Sequence, residues 1–103
     1  MNKLQRMVAE FSERTGTRLE LPYRALDLCS ETGELAQEIL RDTGYGKQAI
    51  TRVSDKAVAE LGDSVFSMLS MANEMDVDVE EALAAAMRRY GKRLERGGQS
   101  TQE

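Results

Sequence analysis

Two short stretches of the chain place paired acidic residues around a glycine. ETGEL spans Glu31–Leu35 and ELGDS spans Glu60–Ser64, and both follow the order acid, any residue, glycine, acid. Acids three residues apart lie on the same face of a helix. A glycine inside a helix costs about 1 kcal/mol relative to alanine, so its repeated use beside an acid needs a reason. We predict that two helices approach closely at Gly33 and Gly62, which would bring four carboxylates together.

Four carboxylates at close range need a counter-charge, because otherwise some of them are forced to bind a proton. A divalent cation supplies that charge. The chain contains no histidine, which disfavours zinc and the Glu-x-x-His di-iron sites of helical bundles. Oxygen ligands alone suit Mg²⁺ or Mn²⁺, and Mg²⁺ commonly shares the phosphates of a substrate. The predicted site therefore indicates phosphate chemistry.

The first acidic pair belongs to a longer row. On an idealised helical wheel, five acids fall within an arc of about 80°: Asp27, Glu31, Glu34, Glu38 and Asp42. The opposite side is apolar and contains Ala25, Leu26, Leu28, Cys29, Leu35, Ala36, Ile39 and Leu40. A row of this kind also fits a plain solvated face, in which Glu60 pairs with Lys56 and Glu38 pairs with Arg41. Both interpretations stay open from the pattern alone.

The elements that carry these residues are helices. Helical periodicity recurs four times, over roughly residues 2–15, 22–42, 55–75 and 79–96, and no segment shows the sustained alternation of a strand. Pro22 suits a first helical turn, Ser54 or Asp55 can cap the third helix, and Asp78 with Glu81 resembles a capping box. We predict an all-α, four-helix bundle-like domain over residues 1–97, a loop at 43–54 and a polar, disordered tail at 98–103.

Composition narrows the partners and the location. The net charge is −4, from 14 basic and 18 acidic residues, which argues against nucleic acid or an anionic membrane as the main partner. One cysteine and the absence of a long apolar run at the start favour a reducing, cytoplasmic location without a membrane span. A domain this small leaves apolar surface uncovered, so we expect self-association. Five residues fall on or beside the apolar stripes of the helices, and we expect these stripe residues in the core or in an interface: Cys29, Met68, Met71, Met75 and Met87.

The acidic motif resembles that of a known family. Glu31-x-x-Glu34, 25 intervening residues and Glu60-x-x-Asp63 are similar to the E-x-x-E…E-x-x-D signature of the MazG-like all-α nucleoside triphosphate pyrophosphohydrolases. The surrounding segments ETGELAQEI and AELGDSVFSMLSMANEMDVDVEEAL also resemble that family's two central helices and the following turn. The resemblance covers roughly residues 20–97 and implies hydrolysis of an NTP or dNTP to the monophosphate and pyrophosphate.

The resemblance also implies roles for individual residues. Glu31, Glu34, Glu60 and Asp63 would bind Mg²⁺, and Glu31 or Glu34 would orient or deprotonate the attacking water. Glu38 continues the row as an outer-shell residue. The substrate-binding candidates are Lys56, Asn73, Arg89, Lys92 and Arg93, with the basic residues on phosphate and Asn73 on the base or sugar. For each of these five, a surface or helix-end role is an equal alternative.

Members of this family are often homo-dimers or homo-tetramers that share residues between subunits, which we expect here. Two other functions stay open: a catalytically weak helical module that senses nucleotides or binds a protein, and a plain helical assembly protein. The presence of acids at all four motif positions favours the enzyme.

Overall fold

The computed structural model describes residues 1–49 and 52–97, and it confirms the all-α prediction. Four helices follow in order: α1 (Lys3–Thr15), α2 (Leu21–Asp42), α3 (Asp55–Met75) and α4 (Val79–Glu95). The described residues contain no strand. The predicted tail at 98–103 and two positions of the predicted loop, 50 and 51, lie outside the described residues.

The helix ends lie close to where the local sequence placed them. Pro22 occupies the first turn of α2, where its missing N–H has no helical partner to lose. The Ser54 side chain caps α3 by accepting a hydrogen bond from the amide of Ala57 at 3.1 Å. The Asp78 side chain caps α4 by accepting from the amide of Glu81, also at 3.1 Å. These caps satisfy backbone groups that the helices cannot satisfy internally.

Helices α2 and α3 form an antiparallel pair that provides most of the packing, and α1 packs on α3. Helix α4 stands largely apart from them and has no buried residue. The radius of gyration is 16.6 Å, whereas a compact domain of this length has a value of about 13 Å. A single chain is therefore an open arrangement of helices, not a closed bundle.

Among the described residues, the buried interior is more polar than apolar. Its hydrophobic residues are Ala57, Leu69 and Ala72. The buried polar residues are Gln5, Ser12, Arg24, Glu38, Ser64, Ser67 and Ser70. The acidic side of α2 faces α3, and the apolar side of α2 faces outward, with Leu26 69% exposed. Of the stripe residues expected in a core or interface, Met71 is half-buried, and Cys29, Met68, Met75 and Met87 are exposed.

Helix α1 is anchored by one glutamine that is 0% exposed. The Gln5 side-chain nitrogen donates to the Asn73 side-chain oxygen at 3.0 Å and to the Val77 carbonyl at 2.8 Å. Its side-chain oxygen accepts from the amide of Val79 at 2.9 Å. These bonds tie α1 to the turn between α3 and α4. No helix of the described residues combines the length and the apolar character needed to cross a membrane.

Candidate metal centre

A seam of polar side chains runs between α2 and α3, and we call it the polar seam. The row from Asp27 to Asp42 supplies the α2 side, because residues three and four apart share one helical face. The α3 side runs from Ser54 and Lys56 through Glu60 and Asp63 to Ser67 and Ser70. Since the two helices are antiparallel, the early acids of α2 face the late serines of α3. The two acidic pairs meet at the centre of the seam.

The structure brings three of the four motif acids together. Glu31, Glu60 and Asp63 each offer a carboxylate oxygen, and these oxygens all lie within 4.8 Å of one another. Opposite ligands of an octahedral Mg²⁺ are about 4.2 Å apart, so small side-chain rotations would close these oxygens around the ion. Among the described residues, the buried Oε2 atoms of Glu31 and Glu60 have no hydrogen-bond partner. The donor set and its unpartnered oxygens fit a hard divalent cation.

The carboxylates of this cluster repel one another. Burial of the carboxyl raises the pKa of Glu31 above its ordinary value, and the negative charges of Glu34 and Asp63 raise it further. Burial likewise raises the pKa of Glu60, with added repulsion from Glu34 and Asp63. Lys56 opposes the shift of the Glu60 pKa without cancelling it. The acids of the cluster therefore hold their charge at a cost that a bound cation would remove.

Glu34 lies at the edge of the cluster. It is exposed, and its negative charge contributes to the raised pKa of Glu60. All four motif acids therefore interact electrostatically within one site, with Glu34 on the solvent side. An exposed carboxylate beside a candidate metal site is well placed to contact a water molecule or a substrate.

The acids at the α2 C-terminal end of the seam are neutralised. Glu38 is 6% exposed, and its carboxylate is 2.9 Å from Arg41 and 3.5 Å from Lys56. The pairing of Glu38 with Arg41, one element of the solvated-face interpretation, is therefore present, although Glu38 is buried. One turn further on, the Asp42 carboxylate accepts hydrogen bonds from the Ser54 hydroxyl at 3.0 Å and from the Ser54 amide at 3.2 Å.

The acid at the other end of the seam is also paired. One oxygen of Asp27 accepts hydrogen bonds from Arg24 at 3.0 Å and from the Ser67 hydroxyl at 2.5 Å. Sequence reasoning did not assign Arg24 or Ser67 to the site. The available signal was the i, i+3 spacing of Arg24 and Asp27, which is typical of an ion pair on one helix. The bond to Ser67 had no such signal, because it joins residues 40 positions apart.

The predicted role of the two glycines is wrong within one chain. A Cβ atom placed on Gly33 or Gly62 would meet nothing within 4 Å, so neither glycine is needed for a close approach of α2 and α3. Both glycines are exposed. The helices meet instead along the acid and serine positions, and each glycine lies between two seam positions of its helix.

The substrate-binding candidates are scattered. Lys56 lies on the seam through its ion pair with Glu38. Arg89 and Lys92 are exposed on α4, and Arg93 covers the Tyr90 ring at 5.3 Å. Among residues 1–49 and 52–97, no ion pair or hydrogen bond connects these three bases to the acidic cluster. A single chain therefore does not assemble a phosphate site from α4.

Asn73 lines a cavity of about 350 Å³ between α1 and the seam. The residues lining this pocket are Ala9, Ser12, Glu13, Arg18, Leu19, Arg24, Ser70, Asn73 and Glu74. Asn73 also donates to the Gln5 carbonyl at 3.0 Å, so its side chain serves the fold as well as the pocket. Arg18 and Glu74 form a two-point ion pair, at 2.9 and 2.6 Å, on the pocket wall.

The chain is similar in sequence to known proteins. The family model for the MazG nucleotide pyrophosphohydrolase domain matches residues 24–97, which include both acidic pairs. The uncharacterized protein YpjD of Bacillus subtilis (strain 168) is 29% identical over 91 residues, covering 88% of this chain and 79% of YpjD. No solved structure matches the chain.

Proposed function

The chain belongs to the MazG nucleotide pyrophosphohydrolase family, and from that premise we propose that it is a Mg²⁺-dependent nucleoside triphosphate pyrophosphohydrolase. Its reaction cleaves an NTP or dNTP between the α and β phosphates. Water adds to one phosphorus of that anhydride, the bridging P–O bond breaks, and a nucleoside monophosphate and pyrophosphate are released. The observation that carries the proposal is the cluster of Glu31, Glu60 and Asp63, with its unpartnered buried oxygens.

In this proposal Glu31, Glu60 and Asp63 hold the cation, with Glu34 as a fourth ligand on the open side. Mg²⁺ bound there would neutralise phosphate charge and polarise the scissile anhydride, and Mn²⁺ is a possible substitute. Glu31 and Glu34 orient the attacking water, and Glu34 is the more accessible of the two. Glu38 acts from outside the ligand set, because Arg41 and Lys56 already neutralise it. Most of the acceleration would come from positioning and charge neutralisation.

The pocket beside Asn73 is the proposed place for the nucleoside. Arg24 on the pocket wall precedes Glu31 by seven residues, and Ser70 follows Asp63 by seven residues. Seven helical residues span about 10 Å, which is comparable to the reach from a β phosphate to the base. The Asn73 amide has one N–H and one lone pair beyond those used by Gln5, which are available to a base or sugar.

We further propose that the functional unit is a homo-dimer or homo-tetramer. The apolar side of α2 is exposed, α4 stands apart, and the buried hydrophobic residues in the described part of one chain are Ala57, Leu69 and Ala72. Such a core is too small to stabilise a folded domain, so a second copy must cover the outward apolar faces. Assembly could also bring Arg89, Lys92 and Arg93 of α4 to the phosphates in a neighbouring copy's site.

Sedimentation equilibrium tests the assembly directly. We expect the wild-type protein to be a dimer or tetramer, and Leu40→Glu, which charges the outward side of α2, to dissociate and unfold it. Glu10→Gln on the exposed surface of α1 serves as the control that leaves the mass unchanged. A well-folded wild-type monomer at micromolar concentration would contradict the proposed assembly.

The activity is tested by measuring pyrophosphate release from a panel of canonical and damaged nucleotides with Mg²⁺. We expect at least one nucleotide to be hydrolysed to its monophosphate. Glu34→Gln and Asp63→Asn should each lose about 100-fold or more in turnover while staying folded. Asp55→Asn, an exposed acid at the start of the same helix as Asp63, is the matched control and should keep its activity. Absence of turnover with all nucleotides, in protein that binds Mn²⁺, would favour a nucleotide-sensing module instead.

A further inference from the structure

A three-residue contact spans the polar seam next to the acidic cluster, and we call it the Asp27 bridge. It consists of Arg24, Asp27 and Ser67. One oxygen of Asp27 accepts from Arg24 on its own helix at 3.0 Å and from Ser67 on α3 at 2.5 Å. Asp27 precedes Glu31 by one turn, and Ser67 follows Asp63 by one turn. The bridge therefore joins the two helices one turn away from the carboxylates proposed to hold the metal.

The arginine of the bridge is held on several sides. Arg24 is 5% exposed, and its guanidinium donates to the Thr17 carbonyl at 3.3 Å as well as to Asp27. The guanidinium also lies over the Phe66 ring at 5.6 Å from its centroid. A buried cation held in this way needs an acceptor partner, because a buried charge without one is strongly unfavourable. Arg24 thus fixes Asp27, and Asp27 in turn fixes Ser67.

Ser67 differs from its neighbours on the same face of α3. Ser64, Ser67 and Ser70 are all buried, at one-turn intervals. The hydroxyls of Ser64 and Ser70 have no hydrogen-bond partner in the described part of the chain, whereas the Ser67 hydroxyl bonds across the seam. Small serines let the helices approach along the whole seam, and at this position a hydroxyl also connects them.

We propose that the Asp27 bridge is a positioning device that sets the spacing of α2 and α3 at the acidic cluster and thereby sets its affinity for a divalent cation. This inference rests on the metal site proposed above. Repulsion among the carboxylates tends to separate the helices when no cation is bound. The bridge opposes that separation from one turn away. Mg²⁺ and Mn²⁺ require ligand oxygens at near-ideal distances, so a shift of about 1 Å between the helices lowers the affinity.

The test measures Mn²⁺ affinity on metal-free protein by electron paramagnetic resonance, together with thermal unfolding of the same samples. Ser67→Ala removes the hydroxyl that crosses the seam, and Ser70→Ala removes a buried hydroxyl without a hydrogen-bond partner. We expect Ser67→Ala to raise the Mn²⁺ dissociation constant about tenfold and Ser70→Ala to leave it within about threefold. A purely structural role would lower the unfolding temperature without this selective loss of affinity.

A second pair of variants separates geometry from charge. The amide oxygen of Asn in Asp27→Asn can still accept from Arg24 and Ser67, whereas Asp27→Ala removes both bonds. We expect Asp27→Asn to keep Mn²⁺ affinity within about threefold and Asp27→Ala to lose about tenfold. This pair also gives a result if Ser67→Ala does not fold.

Two results would overturn the positioning proposal. One is an unchanged Mn²⁺ affinity in both Ser67→Ala and Asp27→Ala. The other is an equal loss in Asp27→Asn and Asp27→Ala, which would assign Asp27 a role through its charge. A wild-type protein that binds no Mn²⁺ would refute the metal site itself and the positioning proposal with it. Wild-type binding with unaffected variants refutes the positioning proposal alone.

Discussion

The centre and the ends of the polar seam have the same kind of side chain in opposite situations. At the ends, Asp27, Glu38 and Asp42 each meet a base or a hydroxyl within hydrogen-bonding or ion-pair distance. At the centre, Glu31 and Glu60 meet other acids and keep unpartnered buried oxygens. The acids at the ends hold the two helices together, whereas the acids at the centre repel one another. One row of acids can therefore both connect two helices and form a candidate metal site, depending on which side chains of α3 lie opposite each acid.

The strongest test of this contrast is Glu60→Gln at the centre. Loss of one ligand charge should reduce Mn²⁺ affinity and turnover by about 100-fold or more. The same change removes repulsion with Glu34 and Asp63, so the metal-free protein should unfold at a higher temperature. Differential scanning calorimetry without metal, combined with Mn²⁺ titration, checks both signs. A fall in the unfolding temperature would mean that the negative charge of Glu60 is already balanced in the metal-free protein.

The same substitution at an end should have the opposite effect on stability. Glu38→Gln weakens a buried carboxylate's contacts with Arg41 and Lys56, whose own side chains are partly exposed. We expect the free energy of unfolding to fall by about 1–2 kcal/mol. Urea denaturation of the metal-free protein measures this change. If Glu38→Gln and Glu60→Gln shifted stability in the same direction, the contrast between ends and centre would be lost.

The pH dependence of stability in the wild-type protein should show the repulsion among the acids at the centre of the seam. The pKa values of Glu31 and Glu60 are raised in the folded state from their ordinary value of 4.5. Above that pH, the folded protein therefore keeps protons that the unfolded chain releases. The contribution of these protons to the free energy of unfolding is fully present below the unfolded pKa. It is lost as the pH rises through the raised folded pKa.

Urea denaturation of metal-free protein, from about pH 4 to about pH 7, measures that loss. The loss should be smaller in Glu60→Gln, and the difference between the two proteins isolates Glu60. Hydrogen bonds lower the pKa values of Glu74 and Asp78, so those groups act in the opposite direction in both proteins. Identical pH profiles for wild type and variant would contradict the electrostatic account of the centre.

The smallest expected effect lies just off the seam. Gly33→Ala adds a Cβ that meets nothing within 4 Å in a helix interior. It should stabilise the protein by up to about 1 kcal/mol, because alanine loses less backbone entropy than glycine. Thermal unfolding provides the measurement. A clear loss of stability would show that a second copy packs directly against Gly33.

Much of the fold followed from local patterns. Helical periodicity predicted the four helices, and Ser54 and Asp78 cap the helices that they were expected to start. The convergence of Glu31, Glu60 and Asp63 was also expected from the two acidic pairs. The proposed reason for Gly33 was wrong, because close packing of α2 and α3 uses the serine positions of α3 instead.

The sequence by itself determined the helices, their caps and the alignment of five acids on one side of α2, because these depend on residues three or four positions apart. Only the tertiary structure decided that this acidic side faces α3 while the apolar side faces outward. It also decided which acids are neutralised, because Ser67 lies 40 residues from Asp27 and Lys56 lies on a different helix from Glu38. Pairing across helices depends on how they pack, and local spacing does not encode it.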